Sequence, residues 1–354
     1  MLKNKKIIIA LSLIPQYFII KLLAHYPEVV ETYYSHGVYP VTSKLLRFML
    51  GWIPFSIGDI LYTIAGIYII RWLILNRKRI IKDSKAWLID VFSAVSILYF
   101  AFHIFWGLNY YRLPVHKALN IDNKYTTVDL IEVTKQLIQK SNEIHLRIVS
   151  NDTVKVSIPY TKRELLNKTA NGYANLANVF PNLEHQVQST KLSLYSLPLT
   201  YMGFSGYLNP FTNEAQIDGL IPLYQYPTTA CHEEAHQLGY AAENETNFIG
   251  GLAAIHNDDV YFKYSGYIFA LRHCINEVYN RDKEVHKTLI STINNGILLN
   301  YQETYTFWNG YENPLEPLFK ILYGNYLKAN NQDKGIESYS YAVALMVNYF
   351  KIQP

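Results

Sequence analysis

The sequence predicts an α+β chain, mostly helical, in which N-terminal transmembrane helices lead into a domain with a small antiparallel sheet and an H-E-x-x-H helix. Three observations predict it. Charge is scarce and nearly absent from three long runs in the first third. An H-E-x-x-H spacing sits inside a stretch with helix start and stop signals. Just before that stretch the apolar period shifts briefly from helical to alternating.

Of 354 residues, 50% are hydrophobic and only 17% charged, against ~25% charged in ordinary soluble domains. The deficit falls on Ile7 to Leu23, Phe55 to Ile74 and Trp87 to Leu108, each near the ~20 residues a helix needs to cross the hydrocarbon. The first run is short, carries Pro15 and follows Lys3, Lys5 and Lys6, the pattern of a signal peptide. It has no small-residue cleavage site behind it and reads as an uncleaved anchor. The loop between the second and third runs holds Arg77, Lys78, Arg79, Lys82 and Lys85. The loop between the first two holds only Lys44 and Arg47 beside Glu28 and Glu31. Basic segments stay in the cytoplasm, so the amino terminus is expected inside and everything after about Tyr110 outside. This gives a multi-pass protein of the cell membrane, with a membrane domain over 1–110 and an extracytoplasmic domain over 111–354. Asp90 is expected at the cytoplasmic interface and His103 packed between helices. The net charge of +4 reflects this positive-inside bias and supplies no nucleic-acid patch.

Helical spacing then covers Thr127 to Val149, capped by Thr126 or Thr127, and Thr161 to Phe180, stopped by Pro181. Lys191 to Leu197 and Glu214 to Asp218 alternate as strands around the turn-like Asn209-Pro210-Phe211-Thr212-Asn213. Beyond the motif, Asp258-Asp259 can cap a helix running through Asn280. Further helices are expected near Lys287 to Leu299, Leu315 to Ala329 and Ile336 to Phe350.

The motif is His232-Glu233-Glu234-Ala235-His236. Pro227 precedes it, Thr228 or Thr229 can serve as N-cap, and Gly239 can close the helix in the left-handed conformation. Spacing of four places both imidazoles on one face, one turn apart, within reach of one metal ion. Glu233, about 100° around the helix, can face a water. Zinc suits two nitrogen ligands, a third protein ligand and an open position. The alternative is an amphipathic helix whose histidines are ordinary surface or core residues. Glu234 stands where such helices usually carry no charge, so it is expected to reach solvent, a cation or the cleft. Cys231 is expected to pack beneath the helix. Although an oxidising compartment would permit a bond between Cys231 and Cys274, two cysteines do not establish one.

The following segment, Glu243-Asn244-Glu245-Thr246-Asn247-Phe248-Ile249-Gly250, resembles the second zinc helix of gluzincins, the zinc peptidases with a Glu third ligand. The resemblance implies Glu243 as that ligand, with Asn247, a turn on, orienting a ligand histidine where the gluzincin pattern has Asp. Glu245 is the competing ligand and points to another face. A wider resemblance rests on the three N-terminal runs, on Gly206-Tyr207-Leu208-Asn209-Pro210-Phe211 with Glu214, and on residues 231 to 249. It is to a bacterial family of three-pass membrane proteins catalogued only as a domain of unknown function. Its members look like membrane-bound zincins, and the resemblance implies no substrate.

The expectation is a membrane-anchored zinc metallopeptidase. It uses Zn2+ on His232, His236 and Glu243, Glu233 as general base, and a peptide or protein of the cell envelope as substrate. A donor for the oxyanion is sought among Tyr261, Tyr264, Tyr267 and His256. Two alternatives stay open: a zinc-binding sensor or assembly factor without proteolysis, and a zinc amidase acting on cell-envelope substrates.

Overall fold

The structure, a computed structural model, describes residues 2–332 and 339–352. Among the described residues, three helices are long and apolar enough to cross a membrane: Lys5–Leu23, Ile57–Asn76 and Ser84–Phe105. The first breaks at Ser12, because the Pro15 ring crowds the carbonyl one turn earlier. Ser12 and Gln16 then hydrogen-bond Ser96 of the third helix at 3.0 and 2.9 Å. At one end of these helices Lys6 and Arg79 pair with Asp90 at 2.6 and 3.0 Å. His103 is buried between Tyr99, Phe102 and Tyr111.

The connection between the first two long helices is itself helical, with wide π turns over Val30–Val38 followed by Tyr39–Leu50. It does not hang free. Glu31 accepts two hydrogen bonds from Arg112, at 2.9 and 2.6 Å, with both side chains buried. Lys191 donates to the carbonyls of Leu50 and Gly51 at 3.2 and 2.8 Å, closing the end of the Tyr39–Leu50 helix. An aromatic cluster of Tyr34, Tyr39, Trp106, Tyr110 and Tyr111, with Ile20 and Leu327, fills the seam. Residues 26–59 thus lie against the chain beyond 105.

The helix Thr127–Val149 begins in a complete capping box of Thr126 and Asp129, and Lys162–Ala177 begins in one of Thr161 and Glu164, which satisfies two orphan amides in each. Both bury leucines in a large core shared with Glu243–His256, Val260–Arg281 and Tyr339–Ile352. Asp259 caps Val260–Arg281 as expected. The region 283–309 forms two helices, Lys283–Ile290 and Asn295–Asn309, and Glu316–Ala329 follows. Of the helix expected at 336–350, residues 336–338 lie outside the described residues.

The sheet corrects two expectations. Its strands are β1 (Thr190–Leu192), β2 (Gly206–Leu208) and β3 (Ala215–Ile217), ordered β1-β3-β2. β1 runs parallel to β3 and only β2 is antiparallel, so the sheet is mixed. The alternation through Leu197 also overshoots, since Ser196–Met202 is a helix. Ser193 and Ser196 turn the chain there: the Ser193 hydroxyl accepts from Tyr195 N and the Ser196 hydroxyl from Gly219 N, at 3.0 and 2.8 Å.

Candidate metal centre

The motif helix spans Tyr226–Gln237 and is buried along most of its length. It starts three or four residues earlier than a cap at Thr228 or Thr229 would place it, with Gln225 in the cap position. A 3-10 turn at Leu223–Gln225 feeds into it, Pro227 occupies the first turn, and Thr228 lies inside the helix against the Ser265 hydroxyl at 2.7 Å. Its end is as expected. Gly239 has φ +86°, its amide bonds His236 O at 2.9 Å, and the Tyr240 amide bonds Ala235 O at 3.3 Å, the paired bonds of a Schellman stop. A side chain at 239 would also meet the Tyr39 ring at 2.8 Å.

The last carbonyls of the helix are bound by side chains from the segments that flank the long apolar helices. Tyr39 donates to Gln237 O at 3.0 Å, Arg47 to the same oxygen at 2.8 Å, and Arg112 to Gly239 O at 3.0 Å. Trp106 donates to His236 O at 3.3 Å. Two guanidinium groups at a helix C-terminus oppose its negative end. The connection after Leu23 and the turn after Phe105 thus fix where the second histidine sits.

The second motif helix, Glu243–His256, crosses the first so closely that a Cβ on Gly250 would lie 2.6 Å from the His232 Cα. That approach brings Glu243 over both imidazoles. Its carboxylate oxygens stand 3.3 Å from His232 Nε2 and 3.7 Å from His236 Nε2. Glu243 also accepts from the Tyr323 hydroxyl at 2.5 Å. Asn247 stands close enough to His232 to favour its protonated form, and the Thr246 hydroxyl is 3.4 Å from His232 Nε2. Glu245 lies elsewhere, buried, accepting from Val115 N at 2.7 Å. Of the two carboxylates read as alternative third ligands, Glu243 is the one that meets the two histidines.

The protonation of these groups follows from what each one faces. His236 Nδ1 faces the Tyr240 carbonyl at 2.7 Å, an acceptor only, so Nδ1 carries the ring proton. Burial pushes the His236 pKa down to about 4, so the ring is neutral and Nε2 presents a lone pair. That lone pair faces the Glu243 carboxylate, whose pKa burial raises and the hydrogen bonds from His232 and Tyr323 lower on balance. The two facing atoms, His236 Nε2 and Glu243 Oε1, are 3.7 Å apart and both are acceptors. For His232, burial works against its proton, but Glu243 and Glu233 outweigh it and raise the pKa. Glu233 stands beside both histidines, the three side chains offering ligand atoms within 4.8 Å of one another. One of its oxygens lies against Gly206 of β2; the other is buried without a hydrogen-bond partner. Burial raises its pKa to about 8. Nitrogen and carboxylate donors with one orphaned oxygen beside them fit a zinc ion.

These groups form the foot of a cleft of about 880 Å³. Its walls are β2, the Ser196–Met202 helix and the Glu316–Ala329 helix, with Trp106, Tyr110 and Tyr62 towards the long apolar helices. The oxyanion-donor candidates do not line it. Tyr264 donates to Asn300 at 2.7 Å, His256 bonds Tyr349 at 2.7 Å, Tyr261 packs on Tyr160, and Tyr267 on Phe350. The hydroxyl that reaches Glu243, Tyr323, lies eighty positions beyond it with no motif around it.

Of the three surroundings expected for Glu234, solvent and cleft are excluded and a cation, Arg47, is near enough to act on it. Glu234 is fully buried and accepts from Thr190, Thr169 and Gln188 at 2.6, 2.7 and 3.1 Å, tying the motif helix to β1 and to Lys162–Ala177. Cys231 and Cys274 are separate, buried thiols, Cys231 lying under the motif helix in the core.

The fold and site define a mostly helical chain with three membrane-length apolar helices and a buried His-Glu-His cluster at the foot of a cleft. A family model described as "Protein of unknown function (DUF3810)" matches residues 34–347. The chain belongs to that family. Neither a curated protein nor a solved structure matches it.

Proposed function

We propose that this chain is a membrane-anchored, zinc-dependent metallopeptidase with a zincin-like, gluzincin-type core, acting on peptide or protein of the cell envelope. The observation that carries the reading is the convergence of His232 Nε2, His236 Nε2 and the Glu243 carboxylate at the foot of the cleft, with the unpartnered Glu233 oxygen beside them. His232, His236 and Glu243 would hold Zn2+, and Asn247 and the Tyr240 carbonyl orient the two imidazoles. Bound there, zinc would supply Lewis-acid polarisation of a carbonyl and a lowered water pKa. The free oxygen of Glu233 takes the proton of the water that attacks the scissile carbonyl and returns it to the leaving amine. Because β2 is an edge strand on the cleft wall, an extended substrate backbone can pair with it. The basic loop at 77–85 and the amino terminus assign the cytoplasmic side, which puts the cleft outside.

The test is cleavage of a peptide library by the full-length protein in detergent. Cleavage that stops on chelation, returns with zinc and is lost in Glu233→Gln supports the reading. A zinc-loaded, folded protein that cuts no peptide contradicts it.

A further inference from the structure

We infer that this cleft takes its substrate from the membrane: the polypeptide it acts on is tethered in the same bilayer and is cut in the stretch that emerges from it. The substrate part rests on the peptidase reading above; the membrane geometry stands by itself. The cleft is lined by Tyr62, the sixth residue of Ile57–Asn76. At 1.5 Å per residue that is about 7 Å inside a membrane-length helix. Its ring stacks on Tyr207 of β2, the strand whose Gly206 borders Glu233. Next to it, Thr63 bonds the Tyr195 hydroxyl, and Phe102, near the end of Ser84–Phe105, packs edge-on to Tyr326. The foot of the cleft is thus joined to the ends of two apolar helices and lies within a turn or two of where they would leave the hydrocarbon.

The rim is built for the same boundary. Ser196–Met202 and Glu316–Ala329 are tied together by Asn313 donating to Tyr201 O at 2.7 Å and by Phe204 against Tyr323. Inward, they give the cleft Leu199, Met202 and Tyr323. On their other side they leave Leu197 (52% exposed), Leu318, Ile321 (60%) and Leu322 half or more exposed. In water a contiguous apolar surface of this kind drives association. Here it continues the apolar surface of the long helices through the Thr63–Tyr195 and Phe102–Tyr326 contacts, so lipid is the occupant it fits. The helix Tyr39–Leu50 repeats the pattern. It buries Tyr39, Ser43 and Arg47 against the motif helix side and exposes Val41, Leu45, Phe48 and Met49, continued by Trp52 (78%). That is the stripe of a helix lying in a membrane interface. A site whose floor and rim both meet the bilayer is placed for chains already held there.

The test uses full-length protein reconstituted in phosphatidylcholine vesicles. Single cysteines are introduced by Leu197→Cys, Ile321→Cys and, as a solvent-exposed control, Val154→Cys; the native Cys231 and Cys274 are fully buried. Each is labelled with a small fluorophore and quenched by lipids brominated along the acyl chain. Several-fold stronger quenching at 197 and 321 than at 154 is expected. In parallel, one peptide sequence is offered free and fused to a lipid anchor in the same vesicles, and the anchored form is expected to be cut at least about tenfold faster at equal total concentration, as an effective-concentration gain. Labels at 197 and 321 that quench no more than 154 overturn the inference, whatever the cleavage result. Quenched labels with both peptides cut at equal rates overturn the tethered substrate. Quenched labels with neither peptide cut keep the rim in the bilayer and overturn the peptidase reading, and the tethered peptide substrate falls with it.

Discussion

The Tyr323 hydroxyl donates to Oε1 of Glu243 at 2.5 Å, although the two residues sit on helices separated by much of the domain. This bond holds the Glu243 carboxylate over the two imidazoles and draws the Glu316–Ala329 helix onto the site. A partner that orients a ligand carboxylate is typically worth ten- to a hundred-fold in metal affinity. Tyr323→Phe is expected to weaken zinc binding by about tenfold in competition titrations against a fluorescent chelator, with the fold unchanged by circular dichroism. Unchanged affinity would show that Glu243 is positioned without it.

The buried pair Glu31–Arg112 joins the connection after Leu23 to the turn that follows Phe105, and Arg112 also binds Gly239 O at the end of the motif helix. Glu31→Gln leaves a buried guanidinium short of its counter-charge, which costs about 3–5 kcal/mol. A clear fall in the thermal midpoint is expected, with weaker zinc binding. The double variant Glu31→Gln, Arg112→Leu is expected to recover part of the loss, because no buried charge is then stranded. A single variant as stable as wild type would mean that the connection is not docked.

Gly239→Ala forces a side chain into a left-handed residue (φ +86°) and against the Tyr39 ring. The backbone term alone is about 1–2 kcal/mol, and the ring must also shift. Thermal unfolding is expected to fall by several degrees, and zinc affinity with it, since the Tyr240 carbonyl that orients His236 follows immediately. Wild-type values in both measurements would contradict the geometry of this stop.

Glu234 supplies a pH prediction. Burial raises its pKa to about 7, against the lowering pull of Thr190, Thr169 and Arg47. A carboxyl with a raised folded pKa binds its proton more tightly folded than unfolded. Its contribution is therefore complete below the unfolded value near 4.5 and is lost as pH rises through 7. The difference corresponds to up to about 3 kcal/mol. Metal-free protein is expected to lose thermal stability between pH 5 and 8, and Glu234→Gln to flatten that slope. Glu233 and Glu245, raised by burial to about 8 and about 7, leave a residual slope in the variant. Equal slopes in the two proteins would show that Glu234 does not titrate in this window.

Most local signals were readable, though the threonines before the motif and the alternation through Leu197 misled, and long-range ones were not. The capping boxes at Thr126 and Thr161, the Gly239 stop and the i, i+4 histidines are all written within a few residues. They appear where the spacing places them. Glu243 and Asn247 also lie one turn apart on a single helix. Tyr323 carried no such signal, because only tertiary packing brings it to Glu243. Arg47 and Glu31 counted as loop charges in the sequence, yet each is buried in a contact with the motif helix or its flank. β2 opens on Gly206, a poor strand former, because the close pass of Glu233 excludes a side chain there. The parallel pairing of β1 with β3 depends on the chain passing through Ser196–Met202 and β2 in between, and no local period encodes that route.

The most direct measurement is zinc content of the purified full-length protein, by elemental analysis, for wild type, His236→Ala, Glu243→Ala, Glu245→Ala and Glu233→Gln. The account predicts about one zinc per chain in wild type, Glu245→Ala and Glu233→Gln, and loss in His236→Ala and Glu243→Ala. Folded wild-type protein that stays metal-free with zinc supplied, or that keeps its zinc without Glu243, would contradict it.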